Sequence, residues 1–190
     1  MLLGAIRRAI AAGVDWVQVR EKDLPARDLT ALVRKAVAAA GGSATRILVN
    51  DRLDVALAAA AAGVHLGEES LPVDRVAQWC RAGNAPAGFV VGASCHSLAA
   101  AVEAERAGAD YVFFGPVFET PAKLKSGPPQ GLERLREVCR AVGVPVLAIG
   151  GVTLDNASAC LAAGATGIAA IRLFQESADI SSIVAELRRR

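Results

Sequence analysis

Apolar positions along this chain come in two formats that alternate from end to end. Short, nearly unbroken runs (DWVQVR, RILVN, GVHL, FVVGAS, YVFFG, VPVLAIG, GIAAIR) are separated by longer stretches in which alanine, leucine and valine return every three or four residues. The first format reads as strands buried on both faces of a parallel sheet, the second as helices packed on that sheet. Strands are predicted over 14–20, 47–50, 64–66, 89–93, 111–115, 144–150 and 167–172, and helices over stretches such as 25–39, 53–61, 98–107 and 132–142. A loose echo, AAGVDWVQVR, AAGVHL, AGADYVFFG and AGATGIAAIR, sets Gly13, Gly63, Gly108 and Gly164 as helix ends that turn straight into a strand.

About seven strands and about eight helices in strict alternation, joined by right-handed crossovers, predict an α/β fold, a (β/α)8 TIM barrel. The pattern opens with a helix at 2–12 and closes with one at 181–190, so the barrel is expected to lack its first strand. A slot between the strands at 14–20 and 167–172 would leave two edges to be filled by another segment or by a partner chain, and a homo-oligomer is one expected answer. At 190 residues a single domain, 1–190, is expected.

Composition narrows the function classes. Apolar residues make up 53 % and aromatics 4 %, so the core is aliphatic and a base-stacking platform is disfavoured. A net charge of +2 with scattered basic residues gives no nucleic-acid surface, and the run Arg188–Arg190 reads as a solvated helix end. Cys80, Cys95, Cys139 and Cys160 show no metal-site or disulfide spacing, which fits a reduced, cytoplasmic protein. No run reaches the roughly 18 apolar residues of a membrane helix, so no membrane partner is expected.

Polar residues cluster where the predicted strands end, the side on which such barrels bind substrate. These are Arg20 and Lys22, Asn50 and Asp51, Ser94 and His96, and Thr120 with Lys123. Singly, each pair has a structural account as a strand end or helix cap; their recurrence at equivalent points favours a site. Arg20 and Lys22 offer a fork and a point charge to polyphosphate, Asp51 a carboxylate to Mg2+, and Gly150 and Gly151 with the glycine of GIAAIR, whose strand ends at Ala170 and Ile171, a phosphate cradle in the last two loops. Cys95 and His96 face opposite ways on a strand and form no couple. His65 reads as a packing or capping residue of the barrel.

On QVREK, ILVNDRLDVAL, AAGVHLGEES, GASCHS, ADYVFFGPVFETPAK, GPPQGLE, VPVLAIGG and GIAAI, in that order nearly end to end, the chain resembles the thiamine phosphate synthase family with its TenI-like relatives. The resemblance implies a transferase joining hydroxymethylpyrimidine diphosphate to thiazole phosphate, releasing pyrophosphate with Mg2+ bound, through a pyrimidine carbocation. It implies diphosphate and pyrimidine contacts from Gln18, Arg20 and Lys22. Asn50, Ser94 and Lys123 then contact the diphosphate, Asp51 the metal, and Thr120, Gly151, Ala170 and Ile171 the thiazole phosphate. Arg20, Lys22, Ser94 and Lys123 carry the catalysis in that reading. The family usually has an acidic second metal ligand in GQED, whereas HLGEES puts Ser70 there, after Glu68 and Glu69. The alternative is a TenI-like thiazole tautomerase or an inactive binding homologue; Pro116 stands where the tautomerase GHVF segment has its histidine, as in synthases. A phosphosugar isomerase, the third reading, would need a general acid and base, with only Asp51, His96 or Glu119 to supply them.

Overall fold

The computed structural model describes residues 2–120 and 128–189. Along it run α1 (Leu2–Ala11), β1 (Trp16–Val19), α2 (Ala26–Ala40), β2 (Arg46–Asn50), α3 (Leu53–Ala58), β3 (Gly63–Leu66) and α4 (Val73–Trp79), which continues through a π-helical turn at Cys80–Asn84. There follow β4 (Val90–Cys95), α5 (Leu98–Arg106), β5 (Tyr111–Phe114), α6 (Gly131–Ala141), β6 (Val146–Ile149), α7 (Leu154–Ala162), β7 (Gly167–Ala169), α8 (Arg172–Gln175) and α9 (Ile180–Arg188). The seven strands form one parallel sheet in chain order, β1 to β7.

That sheet curls. The rings of Trp16 in β1 and Tyr111 in β5 meet edge-on with centroids 4.6 Å apart. Four strand spacings laid flat would separate those strands by about 19 Å. Curling gives each strand an inner and an outer face. Ile47, Val49, Val112 and Phe114 face the helices, among residues such as Val33, Val55, Leu135 and Val138. Leu48, Tyr111 and Phe113 face inward with Trp16, Leu147 and Ile149. Full burial of a side chain such as Leu48 stabilises by about 2 kcal/mol, and it occurs here on both faces of the same strands. Runs like YVFF therefore carry no alternation of polarity.

Among the described residues β1 pairs only with β2, and β7 only with β6. On that open side Arg188 of α9 donates to the Gly13 carbonyl at 2.7 Å and approaches Asp15 Oδ1 at 3.2 Å. The expected solvated helix end is thus tied at Arg188 to the turn before β1, though an ion pair this exposed is worth at most about 1 kcal/mol.

Helix ends follow the expected glycines at Gly13, Gly108 and Gly164, all in the left-handed region, with one correction. Gly63 is not a helix end. It lies inside β3, where a β-carbon would sit 2.3 Å from the Val90 carbonyl oxygen, and the left-handed residue after α3 is Ala60, so α3 stops at Ala58. The strand predicted over 167–172 is likewise shorter: β7 ends at Ala169, and Ala170 and Ile171 form the turn into α8. Ser97, not Ser94, caps α5 by accepting from the Ala100 amide.

Candidate active site

The carboxyl ends of β1 to β4 carry the first group of polar residues. At the end of β2, Asp51 adopts a left-handed backbone (φ 61°), which aspartate tolerates better than most residues. Its amide donates to the His65 carbonyl at 2.8 Å, tying β2 to β3. The carboxylate is held from both sides. Asn50 Nδ2 donates to Oδ2 at 2.6 Å, the Gly67 amide donates to Oδ1 at 3.2 Å, and the Ser70 hydroxyl donates to the same Oδ1. Asp51 caps nothing. The residue before α3 is Arg52, whose guanidinium grips Asp54 bidentately at 2.8 and 2.5 Å and holds that carboxyl below the usual carboxylate range.

A cleft of about 250 Å3 opens here, lined by Glu21, Lys22, Leu24, Asn50, Asp51 and Arg52. Lys22 and Asn50, expected to share a ligand, do share this space; Arg20 is exposed just past β1 and outside that lining. Gln18 sits in β1 opposite Leu48, and its Nε2 is shielded from solvent with no hydrogen-bond partner. A buried donor left unpaired costs about 1–3 kcal/mol, and it is an opening for a ligand acceptor.

The donor set around Asp51 is made of hard oxygens. The described residues hold no group of three or more His, Cys, Asp or Glu that could bind a metal by itself. Mg2+ does not require one: it is commonly held by one or two carboxylates, with waters and substrate phosphates completing the octahedron. Asp51 with the Ser70 hydroxyl fits that role, and exposed Glu68 and Glu69 stand on the same turn.

Ser94 projects from β4 to within 2.9 Å of His65 Nε2, and His65 Nδ1 lies 3.0 Å from the Tyr111 hydroxyl. His65 is 2 % exposed and stacks at 4.2 Å on Phe113. Burial pushes its pKa down to about 4, with the Asp51 carboxylate opposing only in part, so the imidazole is neutral. Burial also raises the Tyr111 phenol. The expectation that His65 packs in the barrel holds, but it packs as a member of a polar chain. Cys95 faces the outer layer, its thiol pushed up to about 12 by burial, while His96 donates from Nδ1 to the Gly115 carbonyl; no Cys–His couple forms.

The second group lies at the ends of β5 to β7. The loop after β5 rests on the end of β6: the Val117 amide donates to the Ile149 carbonyl at 2.9 Å and the Phe118 amide to the Gly150 carbonyl at 3.0 Å. A β-carbon on Gly150 would lie 2.6 Å from Pro116 Cα, and one on Gly151 2.5 Å from the Glu119 carbonyl oxygen. The glycine pair is thus required by the close approach of two loops, a reason its sequence does not display. Thr120 Oγ1 accepts a long contact, 3.4 Å, from Arg172 Nη2 at the start of α8, beside half-buried Ala170 and exposed Ile171. Lys123 lies outside the described residues. Arg172 and Arg52 were missed as site cations; their only sequence signal is position, one directly after Ile171 and one directly after Asp51.

A family model described as thiamine monophosphate synthase matches residues 1–174. A thiamine-phosphate synthase of Methanoculleus marisnigri is 44 % identical over 187 residues, covering 97 % of this chain and 85 % of the relative. One of Methanocella arvoryzae is 40 % identical over 182 residues, covering 96 % and 84 %. Among solved structures, a thiamine phosphate pyrophosphorylase from Pyrococcus furiosus superposes with a TM-score of 0.85 at 34 % identity, over 98 % of this chain and 87 % of its own. A 3-hexulose-6-phosphate synthase, at 19 % identity and a TM-score of 0.72, shares the fold.

Proposed function

We propose that this chain, which belongs to the thiamine monophosphate synthase family, is a transferase that makes thiamine phosphate from a hydroxymethylpyrimidine diphosphate and a thiazole phosphate. The observation that carries the reading is the cleft that sets the Lys22 ammonium, the Asn50 amide and the Asp51 carboxylate around one space at the strand ends. An ammonium and a carboxylate facing the same cavity suit a metal-bound polyphosphate better than a neutral ligand.

In this reading the bond from the pyrimidine methylene carbon to the diphosphate oxygen breaks first, and pyrophosphate leaves with the electron pair. The pyrimidine spreads the positive charge left on the methylene. The thiazole nitrogen then donates its lone pair to that carbon, closing the new C–N bond and taking the positive charge as a thiazolium. No proton abstraction is needed, so the isomerase requirement for an acid and a base falls away; His96, tied to the Gly115 carbonyl, supports neither role. The protein's task is to hold charge against the leaving group. Arg20, Lys22, Ser94 and Lys123 are assigned to the diphosphate with Asn50, and Gln18 Nε2 to the diphosphate or pyrimidine as the donor that awaits an acceptor. Asp51 with Ser70 would hold Mg2+, which when bound neutralises leaving-group charge. Thr120, the Gly151 amide and the backbone at Ala170 and Ile171 are assigned to the thiazole phosphate, with Arg172 beside them.

The same proposal takes 1–190 as one cytoplasmic domain and the seven strands as part of the wall of a (β/α)8 barrel. The one-sided pairing of β1 and β7 supports it. Among the described residues no helix is long and apolar enough to cross a membrane. Incubating the purified protein with both substrates and Mg2+ tests the activity: thiamine phosphate and pyrophosphate should appear in equal amounts. Isomerisation of a thiazole phosphate without condensation would instead assign the tautomerase reaction.

A further inference from the structure

The chain Tyr111–His65–Ser94 crosses the inside of the sheet from β5 through β3 to β4, and the proposed reaction uses only its last member. A neutral imidazole has one nitrogen that donates and one that accepts. His65 has a hydroxyl at each nitrogen, so two directions are possible. If Nδ1 donated to Tyr111, the phenol proton would be left in the core without an acceptor, because Tyr111 Oη has no other hydrogen-bond partner among the described residues. Burying an unpaired donor is costly. The reverse direction leaves no donor stranded in the core, because the one free proton is then that of half-buried Ser94. Tyr111 donates to Nδ1, Nε2 donates to Ser94 Oγ, and the Ser94 proton is turned away from the ring.

We propose that His65 is a positioning residue for the transfer reaction: backed by Tyr111, it fills the acceptor side of Ser94 and so commits that hydroxyl to donate its proton to an oxygen of the departing diphosphate. The assignment rests on the synthase reading. It explains a polar chain buried where an apolar one would pack as well, and it makes Ser94 a one-way donor before substrate arrives. Each hydrogen bond in such a chain polarises the next, so the donor at its end strengthens as charge builds on the leaving oxygen.

The test is a set of double-mutant cycles on the full chain, with kcat and KM for both substrates and a thermal melt for each variant. His65→Gln keeps an N–H near the Nε2 position and should retain activity within roughly threefold. The pair His65→Phe with Tyr111→Phe removes the donor without leaving an unpaired phenol, and should lower kcat about tenfold with KM for the thiazole phosphate unchanged. In a Ser94→Ala background the same pair should lower kcat less than about twofold, since nothing remains to be positioned. Equal losses in both backgrounds, or a Ser94→Ala chain as active as wild type, would overturn the proposal while wild-type turnover still upholds the synthase reading. A wild-type chain that makes no thiamine phosphate would sink the reading and the proposal together. If the double variant fails to fold, Tyr111→Phe alone carries the test: a roughly threefold loss of kcat that vanishes in the Ser94→Ala background supports it, and a loss that persists there overturns it.

Discussion

A β-carbon on Gly92 would lie 2.0 Å from Cζ of Tyr111, so the absence of a side chain in β4 is what admits the tyrosine ring of β5 to the inner face. That ring fills the inside of the sheet, meets Trp16 across it and reaches His65 with its hydroxyl.

Gly92→Ala should therefore destabilise the fold by about 2–3 kcal/mol, the upper range for overpacking a filled core, because neither the strand nor the fully buried ring has room to move. Adding Tyr111→Leu should recover part of the loss. Urea unfolding curves of the three chains decide it, and an alanine variant as stable as wild type would mean that Tyr111 does not occupy this face.

His65 makes stability depend on pH. Its pKa falls from 6.5 in the unfolded chain to about 4 in the fold, so between those values the unfolded state binds more protons. The contribution is fully present above pH 6.5 and is lost as pH falls toward 4, amounting to about 3 kcal/mol across the window. The melting temperature of wild type should drop over this range more steeply than that of a chain carrying His65→Phe and Tyr111→Phe. Parallel profiles would show that carboxylates alone account for the acid sensitivity.

Asp51→Asn keeps a side chain that accepts a left-handed backbone and removes the charge a hard cation seeks. The Mg2+ concentration for half-maximal activity should rise at least about tenfold. Ser70→Asp tests the same oxygens in the opposite sense. Two carboxylates would face each other where Ser70 now donates to Asp51 Oδ1, so the melting temperature should fall in chelator and recover with Mg2+. A variant whose melting ignores Mg2+ would argue against a metal between these residues.

Lys22→Ala should cost turnover and spare the fold. Its side chain is exposed in the cleft, and removing one preorganised charge from a leaving group typically costs on the order of 10²-fold in kcat. Steady-state rates and a melting curve on the same preparation check both halves. Unchanged turnover would remove Lys22 from the diphosphate site.

Strand order, the alternation of helix with strand, and the gathering of polar residues at the strand ends were determined by the sequence itself. These are local matters: a run buried on both faces reads as apolar throughout, and helices ending at Gly13, Gly108 and Gly164 need a left-handed residue at their ends. The pairing of Lys22 with Asn50 and Asp51 was legible because each stands at or just past the end of a strand, and parallel strands bring their ends to one rim. Which face of a strand turns inward was decided only by the tertiary structure. In YVFF every position is apolar, so nothing local separates Tyr111 and Phe113 from Val112 and Phe114; curling of the sheet and register with β4 make that choice. The same holds for His65. Its partners lie 29 and 46 residues away, on strands whose register alone brings an imidazole between two hydroxyls. Gly63, Gly92, Gly150 and Gly151 belong there too, since each is needed for what packs against it, and that neighbour is set by the fold rather than by adjacent residues.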